Sequence, residues 1–189
     1  DASKKEQFGA QVVMSNGKDT GVANDLEARL SNVETRLGGQ GLKLGKYPIH
    51  FHMVGDVPSS FVKNCSIHHS FNRALAIHGT HHLRVQANVV YETRGHAVFI
   101  EDGTEMHNVI EDNLGALVRP VWSLLAVDQS PSVFWIVNPA NTFRRNVAAG
   151  SSHYGIWLRP LERPDGLSGA LSTNENHCPD HTPLGQFSD

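Results

Sequence analysis

The sequence contains little of what marks several common protein classes. Its 189 residues include only two cysteines, Cys65 and Cys178, which are too few for a disulfide framework and lack the spacing of a zinc knuckle. Whether these two cysteines pair is left open. A formal net charge of −3 does not indicate a polyanion-binding surface, so we expect no nucleic-acid partner. No apolar run approaches the roughly 20 residues that a membrane-spanning helix needs.

A repeat marked by asparagine organises the chain. Apolar residues stand ten and twelve positions after nearly every one of these asparagines, which are Asn32, Asn64, Asn88, Asn113 and Asn146. A separation of two residues places both apolar side chains on one face of a strand. We therefore predict an all-β fold, a right-handed single-stranded parallel β-helix in which the asparagines stack as an internal ladder. A β-sandwich is the alternative, because short strands with regular turns fit both classes.

The repeat also predicts how the domain is organised. We expect one domain over 1–189, divided into a poorly defined lead-in at 1–25, coils at 26–160 with insertions near 47–60 and 120–132, and a long loop at 160–189. An amphipathic helix is the alternative to strands around residues 22–37, where apolar residues also recur at helical spacing. Because the chain opens without a signal peptide and the coils end without a cap, we expect a fragment of a longer protein.

Histidine is abundant, with twelve residues. His50 and His52 lie on one face of a predicted strand, and the repeat stacks His52, His78 and Asp102 on adjacent coils. These ligand types suit a divalent metal ion, calcium, zinc or another, so His50, His52, His78 and Asp102 are the predicted metal ligands. His78, Asp102 and His96 are the candidates for acid–base catalysis. A ladder of stacked structural histidines is the alternative.

Several long motifs resemble those of a known family. They occupy residues 45–56 (GKYPIHFHMVGD), 65–73 (CSIHHSFNR), 99–103 (FIEDG), 134–139 (FWIVNP) and 148–155 (AAGSSHYG). The chain resembles the large extracellular proteins that include fibrocystin-L and the cell-migration-inducing hyaluronan-binding protein, and residues 160–167 favour the fibrocystin-L branch. The resemblance implies a parallel β-helix that follows a G8 domain in a cell-surface ectodomain.

The resemblance further implies a module that binds a glycan such as hyaluronan. If the module is an enzyme, it is expected to cleave that glycan. Candidate substrate-binding residues are arginines for uronate carboxylates and aromatic rings for sugar stacking: Arg73, Arg94, Trp135, Tyr154 and Trp157. Glu101 is expected to point away from Asp102, which disfavours a hydrolase with two carboxylates. The second hypothesis is a non-enzymatic receptor or adhesion segment that contacts other extracellular proteins.

One further motif is a glycosylation sequon, Asn64-Cys65-Ser66. Because the repeat places Asn64 in the internal ladder, we expect it to be unmodified.

Overall fold

The computed structural model describes residues 2–15, 26–122, 125–161 and 164–171, and its strands form three parallel sheets that wind into a β-helix. The first sheet contains β1 (Val12–Ser15), β4 (Ile49–Asp56), β7 (Leu75–His81), β10 (Val98–Ile100), β13 (Ser132–Ile136) and β16 (Tyr154–Leu158). The second contains β2 (Arg29–Ser31), β5 (Phe61–Lys63), β8 (Arg84–Gln86), β11 (Val109–Glu111) and β14 (Thr142–Arg144). The third contains β3 (Glu34–Arg36), β6 (Ser66–His68), β9 (Val89–Tyr91), β12 (Leu114–Val118) and β15 (Val147–Ser151).

This architecture confirms the predicted parallel β-helix. Each sheet takes one strand from every successive coil, so strands distant in sequence become neighbours. Two short α-helices, α1 (Ala2–Glu6) and α2 (Gly166–Leu171), and a 3-10 helix at Ala126–Gln129 complete the described elements. No helix in the described ranges has the length or the apolar character to cross a membrane.

The core is a set of apolar columns that run along the helix axis. In the three-residue strands of the second sheet the central side chain points inward and is apolar in every coil, as in Val62, Val85 and Ile110. In the first sheet Ile49 pairs with Leu75, which pairs with Val98, and all are buried. Parallel pairing therefore places like residues on like and removes a continuous apolar surface from water.

The corner between the second and third sheets shows where the asparagine register holds and where it fails. The ladder consists of Asn88, Asn113 and Asn146, whose side-chain amides bond from coil to coil at 3.0 Å. Asn32 and Asn64 lie one position earlier, on the exposed left-handed turn with φ near +55°. Their predicted place in the ladder is therefore wrong.

Strand pairing explains that shift. Lys63 pairs with Gln86, so Cys65 occupies the ladder position opposite Asn88 and donates its backbone N–H to the Asn88 Oδ1 at 2.9 Å. The Cys65 side chain is buried. Cys178 lies outside the described residues.

The coil lengths differ from the prediction in one place. Residues 49–56, placed in an insertion by the repeat, form β4, and the additional chain lies chiefly between β3 and β4, at residues 37–48. In the second long coil, residues 119–131 separate β12 from β13. Strands β2 and β3 replace the alternative helix over 29–36, and α2 lies within the segment predicted to be a loop.

Candidate functional site

An open cleft of about 670 Å³ lies along the outer face of the first sheet. Its walls come from four successive strands of that sheet, β4, β7, β10 and β13, from residues 125–127 of the second long connection, and from the start of α2. The polar groups that line it are His50, His52, His78, Glu101, Asp102, Arg159 and Asp165.

Three of the predicted ligands converge in this cleft because of strand geometry. His50 and His52 share the outward face of β4, and the parallel register pairs His52 with His78 on β7. One ring nitrogen from each of the three imidazoles lies within 4.8 Å of the others. The structure therefore brings together the three histidines that the sequence singles out as metal ligands.

His50 presents an unpaired nitrogen to this cluster. Its Nδ1 lies 3.1 Å from the Gly45 carbonyl oxygen and must donate to it, which leaves the lone pair on Nε2. That Nε2 is buried without a hydrogen-bond partner. Burial lowers the pKa of His50 to about 3, so the ring is neutral near pH 7. A neutral imidazole with an orphaned acceptor is suited to bind a cation.

His78 is held between His52 and Asp102. The Nδ1 atoms of His52 and His78 lie 3.1 Å apart, and the Nε2 of His78 donates to Oδ2 of Asp102 at 2.6 Å. Burial alone would lower the pKa of His78, but the hydrogen bond with Asp102 and nearby carboxylates outweigh it, and the pKa is raised. Burial, and then His78, lower the pKa of His52.

Glu101 also faces the cluster, so the expectation that it points away is wrong. Strand β10 ends at Ile100, and the register continues by placing Glu101 beside His78, with 3.6 Å between Oε2 and Nδ1. The chain then bends, which brings Asp102 to the other ring nitrogen. Burial raises the pKa of Glu101. Two carboxylates thus flank one imidazole.

Two functional residues were not found from the sequence. The Ser168 backbone N–H and hydroxyl both donate to Oδ2 of Asp102 at 2.8 Å, and α2 is thereby fastened to the cleft. Glu105 accepts the N–H groups of Gly79 and Gly103 at 2.8 Å, which fixes the bend that carries Asp102. Neither residue belongs to the repeat, so no periodicity could have identified it.

Ser168→Ala is expected to loosen α2. The variant loses a hydrogen bond to a carboxylate, worth about 2 kcal/mol, and leaves the Thr104 hydroxyl without its acceptor. Amide hydrogen exchange should therefore accelerate at Asp165 and Ser168. Leu167→Ala, at an exposed position of the same helix, is the control and should exchange as the wild type does. Equal protection in both variants would show that the Ser168 hydroxyl does not hold the helix.

Two predicted site residues have structural roles instead. Arg73 is fully buried, binds both oxygens of Asp128 at 2.7 and 2.8 Å, and lies 3.8 Å from the centre of the Phe99 ring, so it cannot reach a uronate. His96 is also fully buried and bonds Ser132 at 3.0 Å, and it is therefore inaccessible to a substrate. Burial, and then Arg73, hold the pKa of His96 well below its ordinary value.

The remaining candidates are divided between two surfaces. Trp135 lines the cleft but is buried, and Trp157 stands 4.8 Å from it between ring centroids, followed by the half-exposed Tyr154 at 4.3 Å. Arg94 is exposed and lines a separate cavity beside Arg119, which shares no residue with the cleft. These four remaining candidates of the five predicted to bind sugar therefore do not form one surface.

Comparison with known proteins identifies the family. The model of the CEMIP β-helix matches residues 7–189. Fibrocystin-L of Mus musculus is 46% identical over 87% of the chain and 4% of its own length. Human cell surface hyaluronidase CEMIP2 is 36% identical over 96% of the chain and 15% of its own length. The human cell migration-inducing and hyaluronan-binding protein is 33% identical over 85% of the chain and 14% of its own length.

The chain thus spans a small part of each of these relatives. The higher identity to fibrocystin-L agrees with the branch predicted from residues 160–167. The chain belongs to the CEMIP β-helix family.

Proposed function

We propose that the cleft binds a divalent metal ion through His50, His52 and His78 and an acidic glycan of the hyaluronan type beside it, in an extracellular module. The observation that carries the proposal is the convergence of three imidazoles, one of which holds a buried lone pair without a partner. Relatives named as hyaluronan-binding and as cell surface hyaluronidases support both the glycan and the location.

The donor set indicates which metal fits. Zinc and other first-row ions take imidazole nitrogens, whereas calcium prefers six to eight oxygens. His50 and His78 each donate their second ring N–H to an oxygen, from Gly45 and Asp102 respectively. Metal-binding histidines are usually oriented in this way. Asp102 then positions His78 rather than binding the ion, and Glu101 is the second carboxylate, with its Oε2 3.6 Å from Nδ1 of His78.

The surroundings of the cluster suit an acidic sugar chain. Arg159 lies at the cleft, 5.8 Å from the centre of the Trp135 ring, and its exposed guanidinium can bind a uronate carboxylate. A bound metal would act as a Lewis acid toward a carboxylate or glycosidic oxygen. Glu101 could hold or move a proton beside the metal, so cleavage is the reaction to test for.

A second function, a non-enzymatic receptor or adhesion segment with a structural histidine ladder, is favoured by one observation. The bonds from His52 to His78 and from His78 to Asp102 form a chain that requires no metal. The two functions differ in whether His50 matters for binding, because His50 is outside that chain.

Zinc titration measures the proposed metal site directly. In chelator-treated protein, His50→Ala is expected to weaken zinc binding by at least about 100-fold. This exceeds the usual effect of removing a residue that only hydrogen-bonds to a metal ligand. His82→Ala is the matched control, since His82 stacks with His107 outside the cleft at 5.1 Å. Calcium should bind more weakly than zinc. Equal zinc affinity in both variants, or none in the wild type, would contradict the metal proposal.

Hyaluronan retention and polymer sizing test the glycan. The protein is immobilised with and without zinc, and Arg159→Ala is compared with Arg36→Ala, an exposed arginine on the third sheet. Only Arg159→Ala should reduce retention. Shortening of the polymer that requires His50 would establish catalysis, and retention without shortening would favour the receptor. A wild-type protein that neither retains nor shortens hyaluronan would overturn the glycan proposal.

A further inference from the structure

The corner that carries Asn64 differs from its neighbours in the exposure of its asparagine. One position later in the coil, Asn88 and Asn113 are buried, and their amide groups are used in the ladder. Asn64 instead occupies the left-handed turn, with φ at +53°, and is exposed. Among the described contacts, its side chain takes part in no hydrogen bond, so the amide nitrogen is available from solvent.

Residue 64 also begins the sequon Asn64-Cys65-Ser66. The middle residue does not interfere, because Cys65 is buried with its thiol directed to the Lys63 carbonyl oxygen at 3.3 Å. The coils on either side present only small or exposed groups at this corner, Asn32 and Ala87. A bulky group on Asn64 would therefore extend into solvent without displacing any part of the core.

We propose that Asn64 carries an N-linked oligosaccharide. This inference rests on the extracellular location included in the proposed function, since the modification is made in the secretory pathway. In the reaction, Nδ2 of Asn64 bonds to the anomeric carbon of a lipid-pyrophosphate-linked oligosaccharide. The bond from that carbon to the pyrophosphate oxygen breaks, the lipid pyrophosphate leaves, and Nδ2 loses one proton.

The position of the glycan has a consequence for the surface. Asn64 lies between β5 and β6, and none of the residues that line the cleft belongs to those strands or to the turn between them. The oligosaccharide would cover the corner of the second and third sheets and leave the histidine cluster open. The proposed glycan-binding cleft and the proposed glycan attachment site are therefore independent surfaces.

The test is occupancy of Asn64 in protein directed to the secretory pathway of mammalian cells by a fused signal peptide. Cell-associated and secreted protein are both treated with peptide N-glycosidase. We expect one shift to lower mass in the wild type and conversion of Asn64 to aspartate at the released site. The shift should disappear in Asn64→Gln and in Ser66→Ala, which removes the sequon but retains the asparagine.

Asn32→Gln is the matched control, because Asn32 occupies the same turn position one coil earlier without a sequon. It should keep the glycan and the shift. Folded wild-type protein without glycan at Asn64 would overturn the proposal. Because the signal peptide fixes the compartment, that result would not bear on the cleft, whereas failure of the zinc and hyaluronan assays would leave glycosylation at Asn64 intact.

Discussion

Arg73→Ala is expected to lower the free energy of unfolding by about 3 to 5 kcal/mol, the usual cost of removing one partner of a buried ion pair. The guanidinium is fully buried and binds both Asp128 oxygens and the Tyr47 hydroxyl. Alanine removes all three bonds and takes the arginine charge away from the buried Asp128 carboxylate. Urea denaturation followed by circular dichroism measures the loss.

The control for Arg73 is an arginine–carboxylate ion pair that has similar geometry but is exposed to solvent. Arg145 also binds both oxygens of one carboxylate, at 2.6 and 2.7 Å from Asp112, but both side chains are exposed. Arg145→Ala should leave the denaturation midpoint almost unchanged, since solvent screens such pairs. The denaturation midpoint of Arg73→Lys should lie between those of the two alanine variants, because lysine keeps the positive charge but cannot bind both carboxylate oxygens as the planar guanidinium does. Equal midpoints for Arg73→Ala and Arg145→Ala would refute the structural role of Arg73.

Asn113→Ala is expected to cost about 3 kcal/mol, because it leaves several buried polar groups without a partner at about 1 to 3 kcal/mol each. Asn113 Oδ1 accepts from both the backbone and side-chain nitrogens of Asn88 at 3.0 Å, and Nδ2 donates to the Val85 carbonyl oxygen at 2.9 Å. Water cannot replace these bonds in the interior. Thermal unfolding of the variant gives the shift in Tm.

Asn32→Gly provides the comparison for the ladder. Asn32 has the left-handed backbone that glycine adopts freely, and within the described part of the chain its side chain bonds only the exposed neighbour Ser31. This variant should unfold close to the wild-type temperature. If Asn113→Ala were equally stable, the internal ladder would not contribute to the stability of the solenoid.

The parts of the fold that sequence predicts are those that repeat. Apolar residues at alternate positions predict the presence of strands, but the marker pairs do not fix the strand faces, because Leu42 and Leu44 lie outside the described strands and Val98 pairs with Leu75 rather than with Ala74. The predicted pairing of His52 with His78 is observed. The asparagine marker failed by one position at Asn64, since a turn asparagine and a ladder asparagine are adjacent and of the same residue type. Composition cannot separate these two positions, and only backbone pairing does so.

The parts of the site that sequence does not predict come from chain outside the repeat. Asp102 reaches His78 because the strand ends at Ile100, and Ser168 arrives from a helix 66 residues later. Arg73 is predicted to bind a uronate because it lies near a turn, whereas the structure buries it. Its partner Asp128 lies in the 3-10 helix at Ala126–Gln129, within the long connection between β12 and β13, and the repeat does not predict the position of that connection.

The Arg73–Asp128 ion pair means that the stacked coils do not behave as a simple linear array of independent repeats. In an ideal solenoid each coil contacts only its neighbours, and stability is a sum of terms for single repeats and for nearest-neighbour interfaces, so terminal coils can open while the others stay folded. Arg73 binds Asp128, which is 55 residues away in sequence, and it also contacts Tyr47 and Phe99, which come from different coils. This buried crosslink makes the central coils one cooperative unit. Fraying from either end should therefore stop at this unit, which preserves the histidine cluster while terminal coils open.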